Sequence, residues 1–365
     1  MLKALNIISD KNIGGAGKCV LIFAENYDRT KIDFSVALPR DSLLKKELEK
    51  LEVKIYEVDG IADKSFSLEG VKELKKLIKR LKPDVVHTHA SMSGRIAAKL
   101  SGVKRIIYTL HCVYEPSNFM KSRVGHLINK IVFALFSDEA IAVAEAAKDN
   151  LTAVGINEKK IRVVLNGISR PKDYTEQEIA DLKKRFSIKD GEKVVSIIAR
   201  LVSVKGHKCF IDAANILTKK GINARFIIAG NGPDEADIKN YAVESGSNAE
   251  FIGFINDPQS LTAVSDICAN ASYGTEATSI SLLEGMSLGK PIVASNYGGN
   301  PGVVSDGENG FLFDVNDSAS MAEKIELLLT DEKLYDRMSE KAYEIFNKRF
   351  TAERYARDIE NIYFA

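Results

Sequence analysis

Along the chain, short apolar runs rich in β-branched residues alternate with longer, charged stretches of helical period. In order the runs are "LNIIS", "FSVALP", "VKIYEV", "DVVHTH", "RIIYTLH", "EAIAVA" and "IRVVLN", then "KVVSIIA", "RFIIAG", "EFIGF", "DICANAS", "KPIVASN" and "GFLF". Near-continuous apolar strands separated by helical segments predict parallel sheets covered by helices on both faces, because parallel neighbours cannot be joined by a tight turn. The pattern runs through twice. Between the passes, "NGISRPKDYTEQEIADLKKRFSIKDGEK" has many charges and no strand-like run, which predicts a connector with one helix and a boundary near residues 168 to 190. A chain of 365 residues exceeds what one hydrophobic core usually serves, so two doubly wound α/β domains are expected. The last stretch, "YEIFNKRFTAERYARDIENIYFA", sets Phe346, Phe350, Tyr355, Ile359 and Ile362 at helical spacing and needs a surface to dock on.

Charge narrows the partners. Lys plus Arg is 51 and Asp plus Glu is 50, so no global field draws nucleic acid. The opening "MLKALNIISD" is too short an apolar run for a signal peptide, and nothing approaches the roughly 18 apolar residues of a membrane span, so a cytoplasmic location is expected. Cys19, Cys112, Cys209 and Cys268 form no CxxC pair and read as buried free thiols.

Ligands of open α/β sheets bind outside the carboxyl ends of the strands, and the informative residues follow strands here. "NIISDKNIGGAGK" places Gly14, Gly15 and Gly17 between a strand and a helix, where bare backbone N–H groups suit a phosphate or a plain tight turn. It is neither a P-loop nor the spaced glycine fingerprint of dinucleotide enzymes. "IIARLVSVKGHK" sets Arg200 just past a strand and Lys205 five residues on, a pair suited to a diphosphate or to solvent. "YGTEATSISLLEG" holds Glu276 and Glu284 eight positions apart with no basic residue in reach, around a helix expected to begin near Thr278 or Ser279. Free N–H groups at that helix start favour an anion, and each carboxylate accepts hydroxyl donors, so phosphate between polyols suggests a nucleotide sugar. The plainer alternative makes Glu276 a helix-start acid and Glu284 a surface residue. His87 and His89 end a strand and are expected to face opposite ways, one into the core; His126 and His207 read as ordinary helix or loop residues.

The order Gly-Gly loop, "VHTH", "TLH", "VLNGI", Arg200 with Lys205, "AGNGP", the Glu276 to Glu284 stretch, "GKPIVAS" and "GG" resembles, over essentially the whole chain, a large family of retaining glycosyltransferases. That family includes bacterial capsule, exopolysaccharide and lipopolysaccharide enzymes, sucrose synthase and phosphatidylinositol mannosyltransferase. The resemblance implies the GT-B architecture, two Rossmann-like domains facing across a cleft. Residues 1–170 would form the acceptor side, joined by a returning helix over 346–365, and residues 171–345 the donor side. It implies that Arg200 and Lys205 neutralise the donor diphosphate, Glu284 holds the ribose, Glu276 binds the transferred sugar and His111 lies beside that sugar. Gly15 and Ala16 would approach the phosphate, with the base near Phe254 and Ile255. Gly230 of "AGNGP" and the helix start over Thr278, Ser279, Ile280 and Ser281 complete the expected donor contacts. Four positions depart from the family's pattern: Ala277 and Thr278 stand where Gly and an aromatic are common, Gly302 where Glu is frequent, and Gly17 where an acid often follows the loop.

The expected reaction transfers a sugar from a nucleoside diphosphate sugar, with UDP favoured, to an acceptor hydroxyl with retention, without metal and without cofactor. A lipid-linked saccharide is the expected acceptor. A silent nucleotide-sugar-binding subunit, a phosphorylase and a transferase with a small soluble acceptor are the alternatives. Finally, "SNFMKSRVGHLINKIVFALF" places Met120, Val124, Leu127, Ile128, Ile131 and Leu135 on one helical stripe, with Lys121, Arg123 and Lys130 on other faces. That stripe fits a helix packed on the sheet, leaving Phe119 and Phe133 outside, or a helix lying on the inner face of an anionic membrane.

Overall fold

The computed structural model describes residues 1–89 and 91–365. It contains two compact units: Met1–Ser169 with Ala352–Ala365, and Arg170–Thr351. In the first, β1 (Leu2–Ile8), β2 (Ile32–Pro39), β3 (Lys54–Val58), β4 (Val85–His89), β5 (Arg105–Leu110), β6 (Glu139–Ala142) and β7 (Ile161–Val163) form one sheet in the order β3-β2-β1-β4-β5-β6-β7. In the second, β8 (Lys193–Ile198), β9 (Ala224–Ala229), β10 (Glu250–Gly253), β11 (Ile267–Asn270), β12 (Ile292–Ser295) and β13 (Gly310–Phe313) run β10-β9-β8-β11-β12-β13. Every strand pairing in both sheets is parallel. Each expected strand is present, in two Rossmann-like sheets.

Strand order reverses between β1 and β4 in the first unit and between β8 and β11 in the second. At such a switch point the adjacent connections leave in opposite directions and open a crevice at the carboxyl ends. The strands flanking both points are almost wholly buried, so the rigid centre of each sheet carries the residues that follow. Leu5, Ile7, Leu74, Ile78 and Val86 pack one core, and Ile197, Phe210, Phe226, Ile267 and Met321 another. Each such side chain contributes about 1.5–3 kcal/mol on burial.

The connector contains one helix, Glu176–Arg185, begun by a capping box between Thr175 and Glu178. The closing stretch is not one helix over 346–365. Glu332–Arg349 ends in the second unit, with Phe346 and Phe350 buried there, and a separate helix, Ala352–Phe364, belongs to the first. Its Tyr355, Ile359, Ile362 and Tyr363 are buried, and it lies along the helix Gly15–Asn26, where Tyr363 meets Phe23 edge-on. Among the described residues no helix is long and apolar enough to cross a membrane.

Candidate active site

In the second unit, Arg200 lies just beyond β8 and is exposed, with no side-chain hydrogen bond or ion pair among the described residues. Its loop is held from below by backbone: Ala199 N–H donates to Ala229 O at 3.0 Å and Leu201 N–H to Asn231 O at 2.9 Å. The glycines of "AGNGP" make that approach possible, since a Cβ on Gly230 would sit 1.9 Å from Ala199 O and one on Gly232 2.2 Å from Leu201 O. Gly230 therefore supports the loop that presents Arg200. A short turn over Ser203–Lys205 then ends at Gly206, whose φ of +70 and closeness to Ala271 O exclude any side chain.

That close contact brings Lys205 to the end of β11. Lys205 Nζ lies 2.7 Å from Glu276 Oε2, and the same oxygen accepts from Ser272 Oγ at 2.9 Å and Asn270 Nδ2 at 3.2 Å. The expectation of no basic residue in reach of Glu276 is thus corrected: tertiary folding supplies the cation that the local sequence lacks. Glu276 is only 7% exposed, and a buried carboxylate needs such partners. Its backbone is pinned as well: Gly299 N–H donates to Glu276 O at 3.1 Å, and a Cβ on Gly298, at φ +58, would meet that oxygen at 2.1 Å. Thr275, immediately before it, holds a φ of +54, an uncommon strain for a β-branched residue.

The helix that follows spans Ile280–Ser287 with Ser279 at its N-cap. Ser279 makes no side-chain cap bond; its Oγ accepts from Asn270 Nδ2 at 3.0 Å and lies 3.1 Å from Ser281 Oγ. The cap thereby leaves the first helical N–H groups to other acceptors. Glu284 lies inside this helix and is 7% exposed, which corrects its reading as a surface residue. Ala277 is buried, and Gly302 accepts from Arg349 through its carbonyl. At the end of β10, Phe254 is exposed while Ile255 packs on the core below. Gly253 O accepts from Gly230 N–H at 2.8 Å, tying this segment to the Arg200 loop.

In the first unit the helix Gly15–Asn26 starts directly after the glycine loop without a side-chain cap. Gly15 is exposed with open space around it, and Ala16 is buried. His111 follows β5. Its Nε2 lies 2.8 Å from His89 Nδ1, whose Nε2 lies 2.8 Å from Asn6 Oδ1. Asn6 Nδ2 donates to Tyr363 OH at 2.8 Å, and that hydroxyl lies 2.8 Å from His87 Nδ1. His87 Nε2 lies 2.6 Å from Thr109 Oγ1. The expectation that His87 and His89 face opposite ways fails for a plain reason: residues two apart on a strand share a face. Both are buried, with rings 4.4 Å apart. Burial holds the His87 imidazole down to about 3, His111 down to about 4 and His89 well below the usual range.

Three of the cysteines are buried, but Cys112 is exposed. His207 is buried rather than an ordinary surface residue, with its titration pushed down to about 4 by burial and by Lys205. The stretch with the apolar stripe breaks at Ser122 into Asn118–Lys121 and Arg123–Phe136. The longer helix buries only Gly125 and Phe133, the latter edge-on to Tyr108. Val124, Leu127, Ile128, Ile131 and Leu135 are all exposed, so the stripe is not packed on the sheet.

The sequence reading missed Asn270 and Ser272, which complete the Glu276 cluster, and Asn6 and Tyr363, which reach the histidines. A signal exists for two: Asn6 and Asn270 are amides inside otherwise apolar strand runs, where a buried polar group needs a partner.

Two family models match. One, described as glycosyl transferases group 1, covers residues 178–345, and the other, glycosyltransferase family 4, covers residues 13–170. Among curated relatives, N-acetyl-alpha-D-glucosaminyl L-malate synthase of Bacillus anthracis is 27% identical over 329 residues, spanning 86% of this chain and 83% of that enzyme. The Escherichia coli UDP-Gal:alpha-D-GlcNAc-diphosphoundecaprenol alpha-1,3-galactosyltransferase is 28% identical over 277 residues, 73% of this chain and 71% of the relative. The Anabaena protein HepE, crystallised with UDP, superposes with a TM-score of 0.85 over 99% of both chains at 22% identity. With both halves matched and each sheet in Rossmann order, the chain belongs to the two-domain glycosyltransferases of GT-B fold described by the group 1 and family 4 models.

Proposed function

We propose that this glycosyltransferase moves a sugar from a nucleoside diphosphate sugar, UDP sugars being favoured, to an acceptor hydroxyl with retained configuration and without a metal or other cofactor. The observation that carries the reading is at the β8/β11 switch point, where Lys205 is paired with Glu276 and Arg200, exposed and without a side-chain partner among the described residues, stands just past β8. Arg200 is free to bond a diphosphate bidentately, and Lys205 adds a second cation. As the bond from the anomeric carbon to the leaving phosphate breaks, negative charge grows on that phosphate, and these two cations with the N–H groups of the Ile280–Ser287 helix stabilise it. The acceptor oxygen then bonds the anomeric carbon from the same face, and its proton passes to the departing phosphate. Glu276 holds hydroxyls of the transferred sugar, Glu284 those of the ribose, and Phe254 with Ile255 borders the base. Gly15 and Ala16 approach the phosphate, while His111 orients the sugar.

The acceptor is a lipid-linked saccharide of bacterial surface polysaccharide. Relatives named for diphosphoundecaprenol substrates support this, as does the exposed stripe of the Arg123–Phe136 helix. Val124, Leu127, Ile128, Ile131 and Leu135 would enter the acyl boundary of the inner leaflet, with the exposed Arg123 and Lys130 at anionic headgroups, each worth about 1 kcal/mol. A thermal-shift panel of UDP, GDP and ADP sugars tests the donor. A sugar at a hundred times its dissociation constant adds roughly 2.7 kcal/mol of stability, and no shift with any donor would reject the reading.

A further inference from the structure

With the Asn6 amide oriented as it is in this structure, the hydrogen-bond chain behind His111 assigns one proton to each contact. Asn6 offers one acceptor and one donor group: Nδ2 donates to Tyr363 OH, so Oδ1 accepts from His89 Nε2. A neutral His89 protonated at Nε2 has a bare Nδ1, which accepts from His111 Nε2 at 2.8 Å. A neutral His111 protonated at Nε2 has a bare Nδ1. That Nδ1 is shielded from solvent and has no hydrogen-bond partner among the described residues. Tyr363 OH, having accepted from Asn6, donates to His87 Nδ1, and His87 Nε2–H is left to donate to Thr109. Every link closes with one proton per contact.

We propose that Asn6 and His89, with Tyr363 from the Ala352–Phe364 helix, are positioning residues that lock His111 as its Nε2–H tautomer and fix the orientation of its ring. Its consequence for turnover rests on the reading that His111 meets the sugar; the lock itself does not. The register favours such a device, since Asn6 pairs with His87 across β1 and β4 and Thr109 pairs with His89 across β4 and β5. Adjacent strand ends at the switch point thus hold the chain rigidly. Burial keeps its three imidazoles neutral, as a single-tautomer chain needs.

Nitrogen NMR on the full chain labelled at histidine reads the tautomer directly and needs no substrate. The expected spectrum shows His111 with Nε2 protonated and Nδ1 bare; a protonated Nδ1 or an averaged pair in the unaltered protein overturns the lock. Asn6→Leu should average the His111 signals and lower kcat roughly 10- to 100-fold with little change in donor KM, the scale lost when the hydrogen-bond partner of a metal-ligating histidine is removed. Tyr363→Phe, which keeps the ring packing, serves as the second variant should Asn6→Leu not fold, with the same averaging expected. Unchanged His111 signals in the folded variant overturn the proposal. Averaged signals with full turnover, while His111→Ala abolishes it, overturn the positioning role. Full turnover in His111→Ala instead rejects the reading of His111 at the sugar, and the spectra alone then judge the lock.

Discussion

Lys205 and Glu276 constrain each other at 2.7 Å, so neither can be altered alone without leaving a partly buried charge behind. Lys205→Ala should therefore lower stability, by less than the roughly 3–5 kcal/mol of a fully buried pair, because the Lys205 side chain keeps 19% exposure. Adding Glu276→Gln should recover part of that loss, and a denaturation double-mutant cycle reads the coupling. Glu276→Gln by itself should weaken donor sugar binding while sparing the free nucleoside diphosphate; Glu284→Gln should weaken both. Calorimetry with the two ligands checks this, and equal losses in both variants would reject the assigned roles. The glycines offer a contrast. Gly15 has open space, so Gly15→Ala should fold normally and report only phosphate approach, whereas Gly206→Ala would collide with Ala271 O and unseat Lys205.

Elements were the most legible level. All thirteen strands follow from apolar runs because buried parallel strands have no polar face to hide them. Where the reading failed, three-dimensional information was missing. Helical spacing ran on from Phe346 to Ile362 although the helix breaks, since two helices that each bury a stripe leave one continuous pattern; only Thr351, a residue type favoured at helix starts, hints at the break. Lys205 stands 71 residues from Glu276, and no local pattern records such a pairing. The stripe of Arg123–Phe136 was visible as amphipathic, but which surface it faces depends on Phe133 filling the core slot. Sedimentation with vesicles should show binding to anionic lipid at low salt that weakens as screening rises, and Leu127→Ser with Ile131→Ser should abolish it. Binding that persists in that double variant would reject the stripe as the lipid face.

For the whole molecule, the two units should respond differently to acid. The first keeps His87, His89 and His111 neutral far below the usual histidine range, and the second so keeps His207. Unfolded histidines take up protons below about pH 6.5 while these folded ones do not, so stability is fully present above that value and falls as pH drops towards about 4. Each proton contributes a slope of up to about 1.4 kcal/mol per pH unit. Hydrogen exchange at about pH 7 and about pH 5 should show the first unit losing more protection than the second; equal losses would contradict the buried neutral state of the histidines. In the proposed function two cations at the second sheet's switch point, Arg200 and Lys205, drive departure of a nucleoside diphosphate. The most direct measurement follows nucleotide release and product configuration by NMR, with UDP sugars and a saccharide acceptor, in the unaltered protein and in Arg200→Ala. UDP release, a product with the donor's anomeric configuration, and turnover reduced about a hundred- to a thousandfold by the substitution are expected. Release that Arg200→Ala leaves unchanged, or a product of inverted configuration, would contradict the proposed function.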